Sequence, residues 1–190
     1  MRKTKISSFE KDQHVIVKIK SISKYMKKIE QIIKKDNSYE KNYEKVWIPD
    51  NHVKGSIKKI NHESFKMINS CFTNGLKEQF EKSTCLQDLE LVAVRRNKLK
   101  TNGSINMHKD RYGYCVAINL TKASRCKELS GMKFTGGNIL FKKDNCEVVE
   151  IELKADEILI AKCTNEHGVK RILTGNRESI ALFTQPKQIV

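Results

Sequence analysis

Long apolar runs are missing from this sequence of 190 residues. No stretch approaches the roughly 20 apolar residues that a membrane-spanning helix needs, and the charged first twenty residues lack the apolar centre of a secretory signal. Only 38% of the residues are hydrophobic, and the mean hydropathy is −0.56. We therefore expect a soluble, intracellular protein, cytoplasmic or nuclear, without a membrane partner.

Paired cysteine motifs are also missing. The six cysteines include no Cys-x-x-Cys pair, which argues against a zinc ribbon and against the dense disulfide framework of a small secreted domain. Cys115 and Cys163 fall within apolar strand patterns, where a free cysteine behaves as a small hydrophobic residue. We expect reduced, structural cysteines with no catalytic role.

Proline is scarce, with two in the chain, and no low-complexity linker or internal repeat divides the sequence. The length suits one domain with a single sizeable core. We expect a single domain over residues 1–190, in which a helical and strand support region at 1–85 precedes a β-rich core at 86–186.

Basic residues outnumber acidic ones by 37 to 22, which gives a net charge of +15. Residues 1–60 hold 16 basic and 7 acidic side chains, so most of the excess lies near the amino terminus. Such a charge attracts polyanions, and nucleic acid is a possible partner. Only seven of the 37 basic residues are arginine, however, so a solvated lysine surface remains an equal alternative.

The first part of the chain has mixed patterns. Residues 13–20 alternate as a strand does, and apolar residues then recur at helical spacing to about Lys35. The polar stretch 36–61, which contains Pro49, predicts a loop with a short extended anchor. A second amphipathic helix is predicted from Phe65 to Phe80, interrupted at Asn74-Gly75.

From residue 89 onwards, short β-branched runs alternate with turn residues, which is typical of an antiparallel sandwich or barrel. The fold class is therefore mainly β with supporting helices (α+β). About eight strands are predicted, at 89–97, 104–109, 113–121, 136–142, 146–153, 157–163, 167–173 and 177–184. The loop at 122–135 is longer than a hairpin needs, and it is a candidate substrate lid or a simple surface excursion.

Two histidines and one acid stand at strand ends in this region. His108 and Asp110 close one predicted strand, and His167 begins another 57 residues later. Two imidazoles and one carboxylate can hold Fe(II) and leave part of its coordination sphere open. Chance alone predicts about 0.6 His-x-acid pairs in this composition, so the pair alone carries little weight. Without the rest of the pattern, polar strand-end and turn histidines remain the simpler interpretation.

The order of motifs carries more weight. His-x-Asp is followed by Gly-Gly-x-Ile-Leu, then His-Gly-Val, then Gly-x-Arg-x-Ser-Ile-x-Leu-Phe. Over residues 89–184 this order resembles the Fe(II)- and 2-oxoglutarate-dependent dioxygenases, and the tail is most similar to the prolyl-hydroxylase-like branch and the TET/JBP nucleobase oxygenases. The resemblance implies a double-stranded β-helix (jelly-roll, cupin-like) packed against the N-terminal helices, with its catalytic core at 86–186.

The resemblance also implies the site residues. His108, Asp110 and His167 would ligate Fe(II), while Arg177 and Ser179 would bind the distal carboxylate of the cosubstrate 2-oxoglutarate. Dioxygen would be the second cosubstrate, and succinate and carbon dioxide would leave. A surface ion pair with a neighbouring glutamate is the simpler alternative for the arginine.

Three hypotheses for function remain open. The first is a hydroxylase that acts on a nucleobase in DNA or RNA, which the basic charge and the TET/JBP-like tail favour. The second is a prolyl-hydroxylase-like protein or small-molecule hydroxylase, and the third is a non-catalytic binding module on the same scaffold. His14, His52 and His62 have no partner at ligand spacing and are predicted to be non-functional. The sequence does not indicate the oligomeric state.

Overall fold

Strands dominate the chain from residue 89 onwards, as the β-branched runs predicted. The structure is a computed structural model that describes residues 8–18, 23–36, 40–42, 55–119, 122–123, 133–154 and 157–187. The helical elements in these ranges are α1 (Ser8–Asp12), α2 (Ser23–Lys35), α3 (His62–Cys71), a π-helical segment (Phe72–Leu76) and α4 (Lys77–Thr84). No helix among these residues is long and apolar enough to cross a membrane.

The described residues form fourteen strands. Those before residue 100 are β1 (His14–Lys18), β2 (Glu40–Asn42), β3 (Gly55–Lys59) and β4 (Leu89–Leu99). Those between residues 100 and 150 are β5 (Ile105–His108), β6 (Tyr114–Asn119), β7 (Lys122–Ala123), β8 (Lys133–Gly136), β9 (Ile139–Lys142) and β10 (Val148–Ile151). The remaining strands are β11 (Glu157–Lys162), β12 (His167–Val169), β13 (Ile172–Gly175) and β14 (Arg177–Pro186).

Two sheets face each other across the site. The larger has seven strands in the order β1-β11-β6-β14-β4-β3-β2, and the smaller has four in the order β10-β9-β12-β5. Every pairing in both sheets is antiparallel. Ile139 and Phe141 of the smaller sheet pack against Leu159 and Ala161 of the larger one. A third sheet, β13-β8-β7, completes the β structure of the described residues.

Alternation along β14 separates the core from the site. Ile180 and Leu182 are fully buried and join the main core, which α2, α3, the π-helical segment and α4 complete on the outer face of the large sheet. Arg177, Ser179 and Ala181 alternate with them and line a cavity on the inner face. Since successive strand side chains point to opposite faces, one strand supports both the helical layer and the site.

Two predicted strands are each divided into two. The predicted strand 136–142 is wrong in its first part, because Gly136 ends β8 and β9 begins only at Ile139, in a different sheet. Gly136 and Gly137 have φ angles of 75° and 69°, which turn the backbone out of the strand. The predicted strand 167–173 is likewise divided into β12 and β13.

The predicted loop at 36–61 is also wrong in part, because it contains β2 and β3. These strands extend the large sheet beyond β4. One side of β4 pairs with β14. The backbone donors and acceptors on its other side would be unpaired if β4 were an edge strand, and β3 pairs with them. Pro49 and most of the candidate lid at 122–135 lie outside the described residues. The division of the chain at residue 86 into support and core stays a prediction.

The predicted interruption of the second helix at Asn74-Gly75 is a π-helical segment. A Cβ atom at Gly75 would lie 2.1 Å from ring atoms of Tyr25, so the missing side chain makes room for this ring from α2. The Tyr25 hydroxyl donates a hydrogen bond to the carbonyl oxygen of Asn74 at 2.9 Å. The π-helical segment therefore fixes α2 against α3 and α4 behind the large sheet.

Candidate metal and cosubstrate site

His108 and His167 lie directly opposite each other on neighbouring strands. They form a register pair between β5 and β12, and their ring centroids are 4.5 Å apart. Each ring places Nδ1 2.9 Å from the carbonyl oxygen two residues earlier, that of Asn106 for His108 and that of Asn165 for His167. The same local contact therefore orients both rings.

These contacts determine which nitrogen of each ring is available. A carbonyl oxygen only accepts, so Nδ1 carries the hydrogen and donates, and the neutral ring keeps its lone pair on Nε2. In His167 this Nε2 lies 3.3 Å from Oδ2 of Asp110, and two acceptors at this distance need a proton or a cation between them. Ligand atoms of His108, Asp110 and His167 all lie within 4.8 Å of one another, which suits a metal ion.

Asp110 is fixed by its backbone and by its surroundings. Its amide donates to the carbonyl oxygen of Cys163 at 2.9 Å, which holds the loop after β5 against the end of β11. Burial raises the pKa of its carboxyl, but the interaction with His167 and the positive charge of Arg95 outweigh burial and hold the pKa below its usual value.

The charge state of His108 also suits a ligand. Burial lowers the pKa of this imidazole below its usual value because the charged form loses hydration. The ring is therefore neutral at physiological pH, and its Nε2 lone pair is available to a metal. The site thus contains two imidazole nitrogens and one ionised carboxylate oxygen, the donor set that suits Fe(II).

Arg177 and Ser179 lie in the same cavity on the first residues of β14. Both are 3% exposed, and Nη1 of Arg177 donates to Oγ of Ser179 at 3.2 Å. A Cβ atom at Gly137 would lie 3.1 Å from Cδ of Arg177, so this glycine lets the backbone approach the arginine stem. Burial contradicts the surface ion pair that was the alternative for this arginine.

The cavity has a volume of about 480 Å³. Its lining includes all five residues that the sequence singled out. It also includes Arg95, whose Nη1 lies 3.7 Å from Oδ1 of Asp110 and which sequence reasoning missed. The run Val94-Arg95-Arg96-Asn97 contains two adjacent arginines, and alternation alone does not tell which of them faces inward.

Within the described ranges, the remaining cysteines and histidines of the sequence prediction are not among the candidate metal ligands. Cys115 and Cys163 line the cavity beside Asp110, and burial, followed by the hydrogen bond with Cys115, raises the pKa of the Cys163 thiol. A protonated thiol is a poor nucleophile, which is consistent with a structural role for Cys163. His14 packs on Phe141 with ring centroids 5.3 Å apart, and His62 is exposed.

Solved structures share this architecture at low sequence identity. An oxidoreductase of the 2OG-Fe(II) oxygenase family from Burkholderia pseudomallei superposes with a TM-score of 0.69 at 12% identity, over 91% of this chain and 85% of that one. A Trichoplax adhaerens prolyl hydroxylase, solved with a peptide fragment of the hypoxia inducible factor oxygen degradation domain, gives 0.63 at 16% identity over 93% and 85%. The chain has the fold of the Fe(II)- and 2-oxoglutarate-dependent oxygenases.

The double-stranded β-helix predicted from the motifs is thereby confirmed as the fold. HygX from Streptomyces hygroscopicus, with nickel, 2-oxoglutarate and hygromycin B bound, has the same fold with a TM-score of 0.62 at 10% identity over 96% of this chain and 86% of that one. No protein-family model and no curated protein matches the chain by sequence. The likeness therefore lies in the arrangement of strands.

Close backbone contact beside His167 gives a first prediction. A Cβ atom at Gly168 would lie 2.6 Å from the carbonyl oxygen of Ile105 on β5, so Gly168→Ala must separate β12 from β5. We expect a loss of about 1–3 kcal/mol in the free energy of unfolding, measured with urea, and weaker Mn(II) binding by about tenfold, because the histidine pair moves apart.

Gly113→Ala is the matched control, because its Cβ atom would meet no atom closer than 3.6 Å. We expect this variant to change the free energy of unfolding by less than about 1 kcal/mol. Unchanged stability and unchanged Mn(II) affinity in Gly168→Ala would contradict the requirement for close packing at this point.

Proposed function

We propose that the protein is an Fe(II)- and 2-oxoglutarate-dependent oxygenase that hydroxylates its substrate and releases succinate and carbon dioxide. The observation that carries this proposal is the convergence of His108, Asp110 and His167 within 4.8 Å in one cavity with the buried Arg177. A buried cation and three convergent ligand atoms in one cavity are what joint binding of a metal and an anionic cosubstrate requires.

The three ligands would hold the metal through Nε2 of each histidine and one oxygen of the aspartate. Bound Fe(II) supplies the activation of dioxygen that oxidative decarboxylation of 2-oxoglutarate requires. The protein orients the rings through the carbonyl oxygens of Asn106 and Asn165. These contacts use Nδ1 of each ring and leave Nε2 for the metal.

The cosubstrate would lie between the three metal ligands and the first residues of β14. Arg177 would bind its distal carboxylate through the planar guanidinium, and Ser179 would donate a hydroxyl to the same group. Because both side chains are 3% exposed, water competes little for these hydrogen bonds. The apolar neighbours Ile139 and Phe141 across the cavity exclude further solvent.

A nucleobase in DNA or RNA is the favoured substrate, and the net charge of +15 supports it. Such an enzyme would act on single strands or extract its base from a duplex. A peptide, as for a prolyl-hydroxylase-like enzyme, is the second candidate, and the similarity to the peptide-bound Trichoplax adhaerens prolyl hydroxylase favours it.

Anaerobic binding followed by aerobic turnover tests the proposal. We expect stoichiometric Mn(II) binding, 2-oxoglutarate binding that depends on the metal, and succinate formation when Fe(II) and air are supplied. A protein that binds neither metal nor cosubstrate would be a binding module on this fold. Mass spectrometry of oligonucleotides and peptides from the same reaction then identifies the substrate class by the gain of one oxygen atom.

A salt titration separates the two substrate classes further. If nucleic acid is the substrate, retention on immobilised DNA should persist at about 0.15 M salt and fall steeply above it, because each phosphate contact releases a counterion. Retention that a neutral competitor removes, or no retention at that salt concentration, would favour the peptide.

A further inference from the structure

The two carboxylate oxygens of Asp110 have different neighbours. Oδ2 lies 3.3 Å from Nε2 of His167, on the side where the triad converges. Oδ1 lies 3.7 Å from Nη1 of Arg95, on the side of the cavity formed by β4. The carboxylate therefore faces its histidine neighbour with one oxygen and a fixed cation with the other.

Arg95 is held in place by aromatic rings. Its guanidinium carbon lies 4.9 Å from the ring centroid of Phe183 and 5.9 Å from that of Tyr112. The two rings are themselves in contact, with centroids 5.1 Å apart. Cation–π contact on two rings restricts the rotamers of a long side chain, so the cation beside Oδ1 is preorganised.

The ion pair between Arg95 and Asp110, at 3.7 Å, is not needed to hold the fold together. The Arg95 side chain is 33% exposed, and a partly exposed ion pair contributes little to the free energy of unfolding. The pair also lies at the candidate metal site, where the number of oxygens that a carboxylate gives to a metal determines how many coordination positions remain.

We propose that Arg95 is a positioning residue that keeps Asp110 a one-oxygen ligand. The inference rests on the proposed function. Three protein donors leave about three of six octahedral positions open, which a chelating keto acid and dioxygen together require. A carboxylate free to turn would place its second oxygen on the metal and occupy one of them. The cation at Oδ1 opposes this rotation, because it attracts Oδ1 and repels a metal that approaches it.

The test counts water on the metal in the absence of cosubstrate. Mn(II) is bound to the wild-type protein, to Arg95→Gln and to Arg95→Met, and the exchangeable waters are measured by water-proton relaxation. We expect about three waters in the wild type and about two in both variants. The methionine variant retains an apolar stem against the rings, so it tests charge separately from packing.

Two further variants complete the design. Arg95→Lys keeps a positive charge near Oδ1. Because a single nitrogen of Arg95 makes this contact, lysine can replace it, and we expect the wild-type water count. Arg111→Gln is the matched control. Arg111 is exposed, and its guanidinium also lies over the Tyr112 ring, 5.7 Å from the ring centroid. We expect the 2-oxoglutarate Kd on the Mn(II) protein to rise about tenfold in Arg95→Gln and to stay unchanged in the control.

The outcomes separate the inference from the proposed function. A water count in Arg95→Gln and Arg95→Met equal to that of the wild type would overturn the role of Arg95. A change in Arg95→Gln alone would overturn it too, because packing rather than charge would then be responsible. Failure of the wild-type protein to bind Mn(II) through His108 would instead refute the proposed metal site.

Discussion

Replacing His108 with alanine is expected to abolish metal binding and turnover while the fold persists. The variant removes one of three donors whose ligand atoms lie within 4.8 Å of one another. Outer partners of metal ligands already cost about 10–100-fold in affinity or activity when replaced, so the loss of a ligand should exceed about 100-fold. Mn(II) titration and succinate formation with Fe(II) measure the two effects.

The fold should survive because the His108 side chain lies at the cavity and contributes to none of the hydrophobic clusters. We expect the free energy of unfolding of the metal-free protein to change by less than about 1 kcal/mol. His62→Ala is the matched control, since His62 is exposed at the start of α3. Full activity in His108→Ala, or equal loss in the control, would contradict the assignment.

Replacing Arg177 with glutamine should weaken 2-oxoglutarate binding by about 100-fold or more. Hydrogen bonds to charged groups contribute about 1.5–3 kcal/mol each, and a guanidinium can offer two to one carboxylate. Arg177→Lys keeps the charge but loses the planar fork, so we expect an intermediate loss. Titration of 2-oxoglutarate into the Mn(II)-loaded protein measures the Kd, and Mn(II) affinity itself should change little.

Arg171→Gln provides the comparison, because Arg171 is exposed between β12 and β13 and does not line the cavity. This variant also removes one positive charge. Its 2-oxoglutarate affinity should equal that of the wild type. If both variants weaken binding equally, the net charge of the protein, and not a specific contact, attracts the cosubstrate.

The sequence predicted which residues lie on the inner face of the large sheet wherever the motifs and the strand alternation agreed. Arg177 and Ser179 are two residues apart on one strand, which places both on the same face whatever the exact strand bounds. His108 and His167 stand at strand ends in an order that the family resemblance explains, and the structure brings them together. Their roles as ligands stay predictions that the variants above test.

Arg95 could not be found in this way because a bulge shifts the alternation of β4. The register with β14 slips between Phe183 and Thr184, so that Leu91 and Val94 both face the helical core although they are three residues apart. A bulge depends on pairing with a distant strand and leaves no local sequence signal. For the same reason the sequence did not predict β2 and β3. They are strands because β3 pairs with β4 and β2 pairs with β3.

The place of β14 has a consequence for synthesis of the protein. This strand lies between β6 and β4 in the large sheet, although it follows both by more than fifty residues in the chain. While the ribosome makes the intervening segments, both older strands expose unsatisfied backbone edges that invite association with other nascent chains. Closure of the sheet, and with it the delivery of Arg177 to the cavity, must wait for translation of the final described strand. We therefore expect the protein to fold slowly, because its central strand pairs with partners that are distant in the chain.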